Sequence, residues 1–300
     1  MKKIAAIGMI LLCCGFARPG LADDGEFLRK TNLVAIQNML TQRLAKAACF
    51  IGTFTETDQY RDILIQSREM FDANLMILKE GHVAYGIDPA NDVVVLDQLK
   101  RLEPVWRRLK FASDLLAESP QYPGLDVNMI EEFNISTLKL TEELGDYYRS
   151  RIADEPDAVE MVRLTGALAT LSQRAAKEFC MTSYGLSANI NRNALARSIQ
   201  EFDQILEDLM VGNEAFNIIA PPEVELAQAL NELKREWNAP KRVMMAIANS
   251  MHAKTSDFSV ISRTSEVIMK QSRKIADLYL NHYKKVMAEK AIERQFSQGS

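Results

Sequence analysis

Two short runs hold the side chains best suited to gripping a polar solute. Gln42, Arg43 and Lys46 lie in MLTQRLAK, and Gln173, Arg174 and Lys177 lie in TLSQRAAK; Cys49 and Cys180 each follow the lysine by three residues. A guanidinium presents a planar fork of donors that matches the oxygens of a carboxylate-like or nitrate-like anion, and an ammonium adds a mobile point charge. At helical spacing, Ala35, Asn38, Gln42, Ala45 and Cys49 fall on one stripe, and so do Gly166, Ala169, Gln173, Ala176 and Cys180. Both stripes consist mainly of small residues, which suits close approach of two helices. If these helices pair, Arg43, Lys46, Arg174 and Lys177 flank the seam and converge with Gln42 and Gln173 on a small anion or polar ligand. The alternative places each arginine in a salt bridge within its own bundle and each lysine in water. Pairing also sets Cys49 and Cys180 at equal heights, so a disulfide is expected; otherwise they are two small buried thiols.

Other chemistry finds little support. His82, His252 and His282 have no ligand spacing with the cysteines, so no metal site is expected. Glu142-Glu143 and similar acidic pairs read as solvated helical faces, and the Glu-x-x-His motif of di-iron bundles is absent. No phosphate-cradling glycine loop or nucleophile elbow occurs. The 14 methionines are scattered and read as core filler. Neither catalysis nor a cofactor is expected.

The elements that position the two runs obey one offset. Shifting the chain by 131 residues superposes Gln42-Arg43 on Gln173-Arg174, Lys46 on Lys177, and Cys49 on Cys180. The same shift carries Phe71-Asp72 onto Phe202-Asp203, Gly81 onto Gly212, and Trp106 onto Trp237, the two tryptophans of the chain. Asp146 and Tyr148 likewise meet Asp277 and Tyr279. One register shared by common and rare residue types points to tandem duplication. Apolar residues recur at three- and four-residue steps, with most Gly and Pro at the breaks. The pattern predicts helices near 26–52, 57–80, 91–117 and 126–152, then near 157–183, 189–211, 222–249 and 257–290. Asp126 and Asp257 are candidate N-caps, and Pro104 should kink the third helix or mark its start. Leu33, Ile36, Leu40, Leu44 and Ala47 form the expected core stripe of the first helix, and Trp106 and Trp237 the expected anchors of the third and seventh. The expected fold is all-α: two tandem up-down-up-down four-helix bundles, residues 23–153 and 154–300. The short linker permits side-by-side or end-to-end packing.

Residues 1–22 read as a secretory leader. Lys2 and Lys3 precede the apolar run IAAIGMILLCCGFA, and Gly20-Leu21-Ala22 offers small residues for cleavage. Lipidation at Cys13 or Cys14 lacks the usual preceding Gly or Ala. The whole chain carries a net charge of −4, and cleavage would remove Lys2, Lys3 and Arg18 but no acid. Such a balance does not favour nucleic acid or an anionic membrane surface, and no later segment has the length and apolarity of a membrane span.

The segment NLVAIQNMLTQRLAKAACF resembles the first-helix motif of PilJ-type and NarX-type sensor domains, roughly A-G-x-x-R-M-x-S-Q-R-x-A-K. LTGALATLSQRAAKEFC resembles it again, with Gly166 in the motif's glycine position. MFDANLMILKEG and LEPVWRRLK are similar to the family's second and third helices. The resemblance implies periplasmic four-helix sensor bundles, ordinarily the front end of membrane chemoreceptors or histidine kinases. In NarX-type members the earlier motif arginine holds nitrate between paired first helices; here that position is Asn38 in one copy and Ala169 in the other. Only the later arginine persists, as Arg43 and Arg174. The implied function is a periplasmic, non-enzymatic sensory protein that binds a small anion or polar solute and signals through a separate membrane receptor or kinase. The alternative is an envelope adaptor, associated with a receptor or pilus, that keeps the bundle without the ligand.

Overall fold

The computed structural model describes residues 20–152 and 155–298. All but the last three residues of the expected leader, and the expected domain boundary at 153/154, lie outside the described residues. Among those described, the chain forms eight α-helices and no strands. They are α1 (Gly20–Gly52), α2 (Thr57–Glu80), α3 (Val93–Glu118) and α4 (Gly124–Ser150), then α5 (Pro156–Tyr184), α6 (Ala188–Val211), α7 (Val224–Ala248) and α8 (Thr255–Gln298).

Helices α1 to α4 pack in a ring, each against its neighbours and α4 back on α1; α5 to α8 do the same. The most extensive packing between any two helices lies between the rings, where α1 meets α5. The rings therefore sit side by side. Ala35 lies against Gly166, and Cys49 against Cys180. These two contacts join residues of equal register about 21 Å apart along the helix at 1.5 Å per residue, so α1 and α5 run parallel.

Central position changes what α1 buries. From Met39 to Ile51 every side chain is buried, because α2, α4 and α5 cover it from three sides. The expected core stripe is correct for Leu40, Leu44 and Ala47, whereas Leu33 and Ile36 are only partly covered and Val34 takes their place against Leu78, Val95 and Leu144.

Some positions 131 residues apart make like contacts. Trp106 stacks on Phe71 at 3.9 Å between centroids and donates Nε1–H to Asp72 at 2.6 Å; Trp237 stacks on Phe202 at 4.0 Å and donates to Asp203 at 2.8 Å. Lys110 and Lys241 pair with those same two aspartates. After α2 and α6 the chain turns through a short 3-10 segment closed by the bridges His82–Ile87 and Asn213–Ile218. Gly81 opens the first of these turns with φ +76°, and a Cβ there would lie 2.6 Å from the Pro89 nitrogen, so the position requires glycine.

Two local expectations need correction. Asp126 and Asp257 are not N-caps but third residues of α4 and α8. From there Asp257 accepts the Lys254 backbone N–H at 2.8 Å, the reach-back half of a capping box. Pro104 does not mark the start of α3, which runs through it, as α7 runs through Pro240. Among the described residues no helix is long and apolar enough to cross a membrane.

Candidate functional site

The seam between α1 and α5 positions every candidate residue. Gln42 and Gln173 turn away from each other into their own rings. Gln42 Nε2 donates to Asn134 Oδ1 at 3.1 Å, and Asn134 donates to the Thr41 carbonyl at 2.7 Å; Gln173 Nε2 donates to the Ser265 carbonyl at 2.9 Å. Asn134 and Ser265 are themselves 131 residues apart, so both glutamines tie a first helix to its fourth.

The cations cross the seam instead of meeting on it. Arg43 donates Nη2–H to Glu266 of α8 at 2.8 Å and Nη1–H to Ser67 at 3.1 Å, and Lys46 reaches the same carboxylate at 2.6 Å. On the other side Lys177 pairs with Glu131 of α4 at 3.2 Å, and Arg174 approaches Glu142 of α4 at 3.4 Å. Convergence of all four on one anion is thus not the arrangement seen, and neither is pairing within each cation's own ring. Lys46 is 0 % exposed. Burial pushes its ammonium down from the ordinary lysine range, against the pull of Glu266. Burial would raise the Glu266 carboxyl, but Lys46 and Arg43 outweigh it and hold that group at about 2. An anion entering here would compete with a carboxylate already holding two cations.

Cys49 and Cys180 are joined by a disulfide, with Cα atoms 6.1 Å apart, inside the usual span for such a link. It fastens α1 to α5 at one end. At the other, Gly166 lets the two backbones approach: a Cβ on Gly166 would lie 2.6 Å from that of Ala35.

Beside this close approach a groove of about 470 Å³ opens between α1, α4, α5 and α6. Asn38 and Arg174 line it; Arg43, Lys46, Gln42, Gln173 and Lys177 do not. Glu142, Asp146, Arg149, Arg163 and Glu201 complete its charged wall. Three of these charges are engaged with each other or with a neighbour: Arg149 with Asp146, and Arg163 with Glu160 at 2.5 Å. The Glu142 carboxyl is raised above its ordinary value, by burial first and by Asp146 second, against the opposing Arg174; the side chain is half-exposed, so solvent screens these effects. Thr31 and Asn38, which line the groove, each carry a buried side-chain oxygen, Oγ1 and Oδ1, with no hydrogen-bond partner among the described residues.

Glu142 belongs to an acidic pair that the sequence presents as a solvated face, and Arg163 and Glu201 carry no motif. Among the described residues no group of three or more His, Cys, Asp and Glu is arranged to hold a metal ion.

Residues 156–260, which span α5, α6, α7 and the start of α8, match the PilJ family, described as the type IV pili methyl-accepting chemotaxis transducer N-terminal domain. A domain of that kind is a sensory, signal-transducing unit rather than a member of an enzyme family. No curated protein matches the chain.

Proposed function

We propose that the chain is a periplasmic sensory protein in which two PilJ-like modules, residues 23–153 and 154–300, stand side by side as the two protomers of a receptor dimer would. A small polar solute binds in the groove beside the α1–α5 seam and biases how the two rings pack. The signal passes to a separate membrane receptor or kinase. One observation carries this reading: the seam between the rings, held by a disulfide at one end and a glycine contact at the other, borders a groove walled by charged side chains of both rings. A groove of this size suits a small solute. Because it is walled by helices of both rings, a ligand there touches both at once, which is the condition for coupling binding to their relative placement.

Thermal unfolding of the purified chain across a panel of small polar solutes tests the proposal. At least one should raise Tm, and Ala167→Leu, which fills the groove from its rim, should abolish the shift. A flat panel would overturn the ligand-binding half. The adaptor reading has its own support, since Asn38 and Ala169 replace the motif arginine and all four remaining cations face carboxylates. Recovery of a stable receptor or pilus partner from periplasmic extract, with no solute added and with the panel flat, would favour it.

A further inference from the structure

Resting on the seam groove as the binding site, we infer that its ligand is a zwitterion, a small molecule with one ammonium and one carboxylate such as a free α-amino acid, bound once per chain. The unused hydrogen-bonding capacity of the groove sets this chemistry. Of its three guanidinium groups, Arg163 is committed through two donors to Glu160, and Arg149 to Asp146. Arg174 makes a single contact, 3.4 Å to Glu142, longer than the roughly 2.7–2.9 Å of a good charge-assisted bond. Most of its donor fork is left to take a second carboxylate.

The acceptors are in surplus. Glu142 has only that long contact, and Glu201 has no cation within salt-bridge distance among the described residues. Thr31 is 1 % exposed, lines the groove and leaves Oγ1 without a partner; Asn38 Oδ1 is likewise buried and unmatched. An unmatched buried acceptor costs free energy, so a side-chain rotation that turns Thr31 or Asn38 toward a ligand N–H is favoured. An ammonium lodged toward Glu142, with its carboxylate on Arg174, replaces one long ion pair by two short ones. The wall carries Arg149, Arg163 and Arg174 against Glu142, Asp146 and Glu201, which favours a ligand of no net charge. A bare anion would answer Arg174 but face three carboxylates; a bare amine would leave Arg174 unanswered.

The single stoichiometry follows from the other side of the seam. There Ile36 and Met39 stand at the positions of Ala167 and Thr170, and Met70 at that of Glu201. The space beside the Ala35–Gly166 contact shrinks to about 10 Å³. A wider cavity beyond it, about 410 Å³, is lined by Arg29, Arg273 and Lys284 with Asp277 as its one acid, and lacks the acceptor surplus.

Isothermal titration of the full chain tests this with the twenty L-amino acids, the amine left by decarboxylating each, the acid left by deaminating each, and sodium nitrate. At least one amino acid should bind at one per chain, with its matched amine and acid at least about 10-fold weaker, the worth of one charge-assisted bond. Arg174→Ala and Glu142→Gln should each weaken it by about 10-fold or more, and Ala167→Leu should abolish it. Nitrate, an amine or a simple acid binding as tightly as any amino acid would overturn the zwitterion and leave the seam site standing. Amino-acid binding indifferent to all three substitutions, or at two per chain, would overturn the assignment to this groove. Silence from every probe would overturn the inference and the binding-site reading together.

Discussion

The contact between Gly166 and Ala35 allows a sharp test, because two effects on stability oppose each other there. Gly166→Ala should gain up to about 1 kcal/mol from helix propensity alone. The new methyl, however, would lie 2.6 Å from Ala35 Cβ, whereas carbon atoms in good contact sit about 3.5–4.0 Å apart. Relief requires α1 and α5 to separate by about 1 Å in a close-packed seam, and overpacking of this kind costs about 1–3 kcal/mol. The net effect of the single substitution is a loss of about 0–2 kcal/mol. A double-mutant cycle removes the ambiguity. With Ala35→Gly added, the nearest remaining atom is Ala35 Cα at 3.9 Å, an ordinary contact. The methyl has then moved from one helix to the other, and the propensity changes at the two sites cancel. Guanidinium unfolding of the four proteins, disulfide intact, should give a coupling of about 1–3 kcal/mol in favour of the double variant. A coupling below about 0.5 kcal/mol would mean that the helices do not touch at this point, and the parallel seam would be wrong.

Three further outcomes follow from buried groups. Burial raises the Glu178 carboxyl to about 7, and its Oε2 has no partner. The folded state therefore binds more protons than the unfolded between its ordinary value of 4.5 and about 7. Stability should fall by about 3 kcal/mol as pH rises through that window and level off above it; Glu178→Gln should flatten the curve, and an unchanged slope would clear Glu178 of the effect. Glu266→Ala leaves Lys46 buried without its counter-charge and should cost about 3–5 kcal/mol in chemical denaturation, with part restored by Lys46→Met. Glu266 also sets an acid limb of opposite sign: its stabilisation is complete above 4.5 and disappears as pH falls toward about 2. Cys49→Ser with Cys180→Ser releases a link across 131 residues and should cost at most about 5 kcal/mol. Thiol alkylation that labels both cysteines in the unreduced, denatured wild-type chain would contradict that link.

The helices were legible in the sequence because their signals are local. Apolar spacing, breaks such as GTFTETD and the fixed offset of Trp106 and Trp237 need no knowledge of neighbours. The small stripe through Ala35, Asn38, Gln42 and Cys49 likewise announced a helix needing a close partner, since side-chain volume sets how near two backbones can come. The end positions of α4 and α8 were harder. Asp126 and Asp257 favour a first turn in general, and only the packed chain decides which place in the turn each takes.

The charged contacts could not be read in advance, and the reason is physical. An ion pair is specified by where two side chains end in space, and the carboxylates chosen here break the internal offset. Glu266 aligns with Ile135, Glu131 with Ser262, and Glu142 with Arg273. Equivalent cations on equivalent helices thus met unlike partners: Arg43 and Lys46 share one part-buried carboxylate, while Arg174 keeps only a long contact at the groove. The sequence by itself determined eight helices, the residues that recur at a 131-residue offset and the faces that had to be buried. Only tertiary packing decided that α1 and α5 run parallel side by side and that one flank of their seam stays open, because those outcomes depend on side chains far apart in the chain filling, or failing to fill, a common space.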